Sequence, residues 1–457
     1  MTVMPKTLHV NLFEMACVSH IVHGMWRAPE NARLRFGELS FWTDLASRAE
    51  TAGIEAIFLA DVLGVYDRFG GLEPALRTGM QIPNLDPFSV VPAMAAVTTH
   101  LNFAVTASTT YEPPFAFARR ISSLDMLTNG RVGWNVVTSY LPNAARNFGL
   151  ENEIEHDARY ERADEYIEVL YKLWEGSWAD DAWRGDTIDN VVTAYDRVRR
   201  INHQGQYFSV EGPHLLPPTR QRTPVLFQAS GSERGLQTAA RHAEAVFIGG
   251  RTPHETKENI ERTRAAAQAC GRAPQDLKFY VMAGLIVGKT EQEARAKLER
   301  YRKFYDVEGA LSHAQSEIDL RAVDPELTIA EALAETGTSF GNMGRRFGKD
   351  QKVGAALEQI SRFDEGRYFA VGTPAQIADS IEEWLDIDGI DGINLRQYHS
   401  FETLNDYADF IAPELRKRGR LPPFPCRPSS FRARLFGHDR VSNRHPAHSY
   451  SFEARSS

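Results

Sequence analysis

Three cysteines, Cys17, Cys270 and Cys426, stand far apart in a chain of 457 residues. A set so scattered and odd in number supports neither a disulfide framework nor a paired-cysteine zinc site, and reduced thiols are expected. No apolar run reaches the length that crosses a bilayer, and the opening MTVMPKTLHVNLF leads into a strand without a signal-peptide pattern. A cytoplasmic protein without membrane contact is the expectation. Neither sign of charge dominates: 52 Lys and Arg against 60 Asp and Glu give a net charge of −8 from interspersed groups, which argues against a nucleic-acid surface. Also missing is a G-x-G-x-x-G after any strand, the mark of a dinucleotide site. With no repeat or low-complexity tract and 42% hydrophobic residues, the chain can bury a large core.

What is present is a rhythm. Apolar, β-rich runs near 8–13, 54–60, 102–109, 131–138, 223–229, 244–249, 277–288 and 391–395 predict eight strands. Helical patterns lie between them, near 38–52, 86–99, 114–128, 157–175, 233–242, 253–269, 290–306 and 374–386, with a last one at 401–418. In the fourth, Ala163, Ile167, Leu170 and Trp174 recur at helical spacing and are expected to face the core. This alternation fits an α/β protein built as a closed (β/α)8 TIM barrel better than an open doubly wound sheet. One barrel domain is expected over residues 1–420, with insertions at 177–222, after the fourth helix, and 307–372, between strands 7 and 8. Both are read as elaborations of the rim, the second as a lid. Residues 421–457 mix Pro, Arg and His without periodicity and are read as an extended C-terminal arm.

In such a barrel the chemistry sits at the C-terminal ends of the strands. Those ends carry Asp61, Thr106, Ser108, Asn135, Thr138, Ser139 and the turn Ser230-Gly231-Ser232. Any one of these is ordinarily a capped strand end. Together they describe a pocket for the edge of a heteroaromatic ring. The segment EHDARYERADEY at 155–166 opens a helix, and His156 and Tyr160, four residues apart, share a face at its N-terminus, a natural seat for phosphate. The competing reading is a solvated His156 beside an Asp157 cap. SGSERG at 230–235 offers backbone N–H groups before another helix. Both point to a single monophosphate. GLIVGKT at 284–290 is one residue short of a P-loop, and Thr290 with Glu293 makes it a helix start instead.

His20 and His23 in SHIVHG lack a Cys, Asp or Glu that would complete a metal set, so no metal is expected. They are read as pocket walls, with His20 the candidate catalytic residue for giving or taking a proton. Phe13, Phe58, Tyr66 and Phe247 are read as the apolar walls of a substrate pocket, ordinary core packing being their competing fate.

FLAD at 58–61, MAAVTTHLNFAVTASTTYEPPFAFAR at 94–119, LDMLTNGRVGWNVVTSYLPNAARNFG at 124–149, EHDARYERADEYIEVLYKLW at 155–174 and QRTPVLFQASGSERG at 221–235 closely resemble one family. It is that of the flavin-dependent monooxygenases of the nitrilotriacetate, EDTA, dibenzothiophene-sulfone and dimethyl-sulfide type, within the bacterial-luciferase-like superfamily. The resemblance spans about residues 8–418. It implies a barrel that binds reduced FMN (FMNH2) delivered by a separate NAD(P)H:flavin reductase. It further implies that O2 is activated as a flavin C4a-(hydro)peroxide, that one oxygen atom passes to a small organic substrate, and that the protein is a homodimer or homotetramer. Asp61, Thr106, His156, Tyr160 and Ser232 match the family's flavin contacts, the last three around the phosphate, while Asn135 and Thr138 line the ring. Two departures stand out. QASGS replaces QAG-x-S, leaving open whether Ser230 shares the phosphate, and FRARLFG replaces TLRE-x-LG in the tail.

For the substrate, aromatic walls and the lack of a Lys or Arg cluster at the strand ends favour an apolar organosulfur compound, a sulfide or sulfone. An aminopolycarboxylate is the alternative if Arg345, Arg346 and Lys349 fold inward. Two readings compete: deazaflavin-dependent hydride transfer on the same fold, and a non-catalytic flavin-binding protein. The long monooxygenase-type strings count against the first, the polar rim and lid against the second.

Overall fold

Every apolar run is a strand, and each strand pairs in parallel with the next. In a computed structural model that describes residues 6–453 apart from 21, 250–251, 338–341, 365, 387–388, 423 and 425–427, these strands form a ring. They are β1 (His9–Met15), β2 (Ala56–Ala60), β3 (Asn102–Ser108), β4 (Val132–Val137), β5 (Val225–Ser230), β6 (Ala245–Ile248), β7 (Lys278–Val287) and β8 (Gly392–Arg396). The ring closes where Phe247 of β6 lies opposite Tyr280 of β7 and where Gly392 of β8 lies opposite His9 of β1. The chain is therefore a (β/α)8 barrel. Around it run α1 (Leu39–Ala52), α2 (Pro87–Ala96), α3 (Pro114–Leu127), α4 (His156–Trp174), α5 (Glu233–His242), α6 (Pro253–Ala269), α7 (Glu291–Arg302) and α8 (Pro374–Asp386), then a helix over 402–417 with a π-turn at Tyr407–Ile411. Barrel strands are buried on both faces, which is why they read as unbroken apolar runs. Ala163, Ile167, Leu170 and Trp174 of α4 are buried against them. α7 begins at Thr290, whose hydroxyl accepts the Glu293 N–H at 3.2 Å.

The inside of the barrel is a stack of aromatics. Phe58 meets Phe247 edge-on with centroids 4.5 Å apart, Phe227 follows at 5.8 Å from Phe247, and Phe13 lies over Phe58 at 5.3 Å. Small residues make the room: a Cβ on Gly133 would come within 2.9 Å of the Phe227 ring. Phe58 and Phe247, expected as pocket walls, are thus interior filling, because inward side chains of a small barrel must occupy its axis.

The tail is not an extended arm. Ser430 caps a short helix, Phe431–Phe436, that closes the floor of the barrel at the N-terminal ends of the strands. Phe431 sits 5.4 Å from Phe227, and the fully buried Arg432 grips both oxygens of Glu244 at 2.7 Å. The cause is local: the stack needs an apolar plug, and the Glu244 carboxylate, placed just before β6, needs a buried cation.

Residues 177–222 also lie away from the rim. They connect the C-terminus of α4 to the start of β5, so they emerge at the floor end, and they carry two small hairpins, Trp183–Asp186 with Val191–Thr193 and His203–Gln204 with Ser209–Val210. Glu165 of α4 accepts the Tyr207 and Phe208 N–H groups, and the His214 ring meets Ser122 of α3 at 3.0 Å.

Residues 307–372 do lie at the mouth. Four helices, Val307–His313, Ile329–Glu335, Asn342–Phe347 and Val353–Ser361, bury Leu311, Ile329, Leu333, Met343 and Val353 in a core of their own. The segment ends in a strand, Tyr368–Gly372, that pairs with the outer half of β7, Ala283 opposite Tyr368, outside the ring. Cys17 is buried and Cys270 exposed, both unbridged, while Cys426 lies outside the described residues. Among the described residues no helix is long and apolar enough to cross a membrane.

Candidate active site

Three cavities adjoin at the C-terminal mouth. The first, about 310 Å³, reaches from Asp61 and Thr138 to His156, Arg159 and Tyr160. The second, about 410 Å³, shares Asp61, Val62 and Leu63 with it and extends to Gln81, Asn84 and Thr106. The third, about 670 Å³, shares Tyr140 with the first and lies under the 307–372 cap.

The first cavity has the features of an anion seat. His156 and Tyr160 occupy the first turns of α4 with their rings 5.1 Å apart. Ser232 caps α5, its Oγ accepting the Gly235 N–H at 3.0 Å. A Cβ on Gly235 would stand 2.9 Å from the Tyr160 hydroxyl and 3.1 Å from the Ser232 Oγ, so the bare glycine is what lets these two hydroxyls converge. Two helix N-termini meet there, and the Arg159 guanidinium adds a cation to the wall. Gly231 faces open space, and the Ser230 side chain lies outside the described residues.

Beside it the polar groups line up along adjacent strands. The Thr106 hydroxyl donates to the Leu59 carbonyl at 2.8 Å and accepts the Asn135 side-chain N–H at 2.9 Å. That leaves Asn135 Oδ1, and Oε1 of the neighbouring Gln228, buried without a hydrogen-bond partner among the described residues. Orphaned acceptors of this kind call for a ligand or water. Asp61 accepts Asn84 Nδ2 at 2.7 Å, and burial pushes its carboxyl up to about 7. Monophosphate donors on one side and orphaned amide acceptors on the other fit a ribityl-phosphate-bearing heteroaromatic such as FMN.

The third cavity is lined by barrel residues His23, Tyr140 and Met282 below, and by His313, Gln315, Arg346 and Arg367 of the cap above. His23 and His313 stand 5.2 Å apart, and Tyr66, behind the wall, packs 5.4 Å from His313. Burial, with help from His23 and Arg346, drives the His313 imidazole far below its ordinary range. His20 is not on this cavity. It lies in a pocket of about 30 Å³ under Phe13, with Arg33 and Arg396, and burial followed by those two cations holds it neutral. Arg346 lines the large cavity, Lys349 does not, and the Arg345 side chain lies outside the described residues.

Sequence reasoning singled out neither His313, Arg367 nor Tyr140. Tyr140 follows Ser139 at the end of β4, so the strand-end logic that flagged Thr138 extends to it. Nothing in the residues around His313 marks it, since only the fold of the cap brings it to the mouth.

A closed parallel barrel with polar side chains gathered at the C-terminal ends of its strands is the architecture of an enzyme that works at its mouth. Comparison with known proteins makes the class specific. Residues 17–391 match the family model described as luciferase-like monooxygenase, and the chain belongs to that family. It is 44% identical over 441 residues to the long-chain alkane monooxygenase of Geobacillus thermodenitrificans, covering 95% of each chain. The crystal structure of a long-chain alkane monooxygenase superposes with a TM-score of 0.91, over 98% of this chain and all of that one, at 44% identity. The dimethyl-sulfide monooxygenase of Hyphomicrobium sulfonivorans is 41% identical over 98% of this chain and 94% of its own. The nitrilotriacetate monooxygenase component A of Aminobacter aminovorans is 34% identical over 90% and 92%. The protein is a flavin-dependent monooxygenase.

Proposed function

We propose that this chain is the oxygenase of a two-component system: it takes FMNH2 from a separate NAD(P)H:flavin reductase and uses O2 to oxygenate a small organic molecule lodged in the third cavity. Bound reduced FMN supplies the oxygen activation and transfer. The observation that carries the reading is the convergence of the Tyr160 and Ser232 hydroxyls over Gly235, at two helix N-termini. In it, His156, Tyr160, Ser232 and the first-turn amides of α5 hold the phosphate, with Gly231 and Ser230 leading into that turn. Asp61, Thr106, Asn135 and Thr138 meet the ring. The cap excludes water. His20, kept neutral by burial and two neighbouring arginines in its own small pocket under Phe13, is a poor proton acceptor and serves as packing behind the site. Names such as dimethyl-sulfide monooxygenase among the relatives support an organosulfur substrate, and family membership favours oxygenation over hydride transfer or mere flavin storage. The protein works in the cytoplasm as a homodimer or homotetramer in this reading.

The test is anaerobic titration with FMNH2, followed by O2 uptake with a flavin reductase supplying it. One FMNH2 bound per chain is expected. Failure to bind either reduced or oxidised FMN ends the proposal.

A further inference from the structure

The third cavity differs in chemistry from the apolar slot that an alkane or a simple sulfide calls for. Arg346 and Arg367 both stand on its wall, together with Gln315, Gln359, Tyr140 and Tyr305. Both arginines are exposed, and both come from the cap. Their field is felt nearby: each disfavours the charged form of His313, and Arg367 also that of His20. Two guanidiniums, two imidazoles and a set of amide and phenol groups make a lining rich in hydrogen-bond donors. Apolar side chains, among them Ile248, Val281, Met282, Ala310, Ala314 and Ile360, line the rest.

We infer that the substrate of this enzyme is an organic anion, with Arg346 and Arg367 binding its carboxylate or sulfonate under the cap while its oxidisable end points down toward the cofactor. Guanidinium forks suit such head groups, since each delivers paired N–H donors to two oxygens. An organosulfur acid satisfies this requirement and the preceding proposal together. The inference rests on the monooxygenase reading for the position of the reacting end, but the recognition itself is a property of the cap.

The test uses the full chain and matched probes: 3-(methylthio)propanoate, and its methyl ester as the neutral counterpart. Calorimetric binding to the protein with FMN, and reductase-coupled turnover, are measured for wild type, Arg346→Gln, Arg367→Gln and the double variant, with thermal midpoints checking that each folds. The acid is expected to bind at least tenfold more tightly than the ester. Each single variant is expected to weaken the acid by about tenfold to a hundredfold, the loss typical of one charge-assisted hydrogen bond. The ester should move less than threefold, and FMNH2 affinity should not change. Equal binding of acid and ester, no acid binding at millimolar concentration, or an acid preference that survives in the double variant overturns the inference. A fall in FMNH2 affinity in the arginine variants also overturns it, assigning the arginines to the cofactor instead. Loss of FMNH2 binding by wild type would sink the preceding proposal, and the calorimetry of the acid would still judge this one.

Discussion

The phenolic oxygens of Tyr66 and Tyr140 lie 2.6 Å apart. Through that bond the loop after β2 is tied to the end of β4, and because the Tyr66 carbonyl accepts the Ser312 hydroxyl at 3.3 Å, the cap is tied to both. Tyr140 is the wall shared by the cavity assigned to the cofactor and the cavity assigned to the substrate. Replacing Tyr140 with alanine joins the two spaces and admits water. The ratio of product formed to O2 consumed should fall several-fold, with a smaller change in FMNH2 affinity. Tyr140→Phe removes only the hydrogen bond, at about 0.5–1.5 kcal/mol, and should keep most of that ratio. An unaltered ratio in the alanine variant would show that Tyr140 is not the partition.

Gly235→Ala separates two opposing effects. By intrinsic helix preference alanine stabilises an interior position by up to about 1 kcal/mol over glycine. Here its methyl would press on the Tyr160 and Ser232 hydroxyls, at 2.9 and 3.1 Å. The variant should lose FMNH2 affinity by about an order of magnitude, the scale of one or two displaced hydrogen bonds, without a lower melting temperature. Anaerobic fluorescence titration reads the first and thermal unfolding the second.

The Asp61 carboxyl carries a pH signature. Its folded pKa, about 7, lies above the ordinary 3.8 because burial penalises the charged form. The folded protein therefore holds a proton that the unfolded chain has released, and stability drains away as pH rises from about 4 to about 7. Asp61→Asn keeps the acceptor for Asn84 and removes the titration. The melting temperature of the variant without cofactor should gain on wild type between pH 5 and pH 8. A difference constant with pH would mean that the carboxyl is ionised throughout.

Arg432→Met leaves Glu244 as an uncompensated buried carboxylate. The expected loss is about 3–5 kcal/mol, read from urea unfolding. Changing both residues, Arg432→Met with Glu244→Met, should restore most of it, because a buried ion pair gives way to apolar packing at little cost.

The barrel was legible because both faces of every strand are covered, which writes eight apolar runs into the chain. The mouth was partly legible for a related reason: Asp61 and Asn135 are polar residues at the ends of such runs, where nothing apolar explains them. Depth was not. Phe58 and Asp61 are three residues apart, yet one fills the barrel axis and the other faces the cavities, and no local pattern tells which layer a side chain joins. The cap was read as a polar insertion because its fold depends on distant contacts, such as Arg68 with Glu317 at 3.0 Å. The place of residues 177–222 follows from chain order alone, since a connection from a helix to the next strand must emerge at the floor.

The floor itself has a bearing on how the molecule is made. Phe431 and Arg432, which seal the inner stack, leave the ribosome after all eight strands. Without them the Phe227 ring would lack its Phe431 neighbour and Glu244 its Arg432 partner. A protein whose keystone is translated behind its arch depends on late contacts for its final cooperativity, and that stretch of synthesis is when helper proteins have an exposed hydrophobic surface to hold.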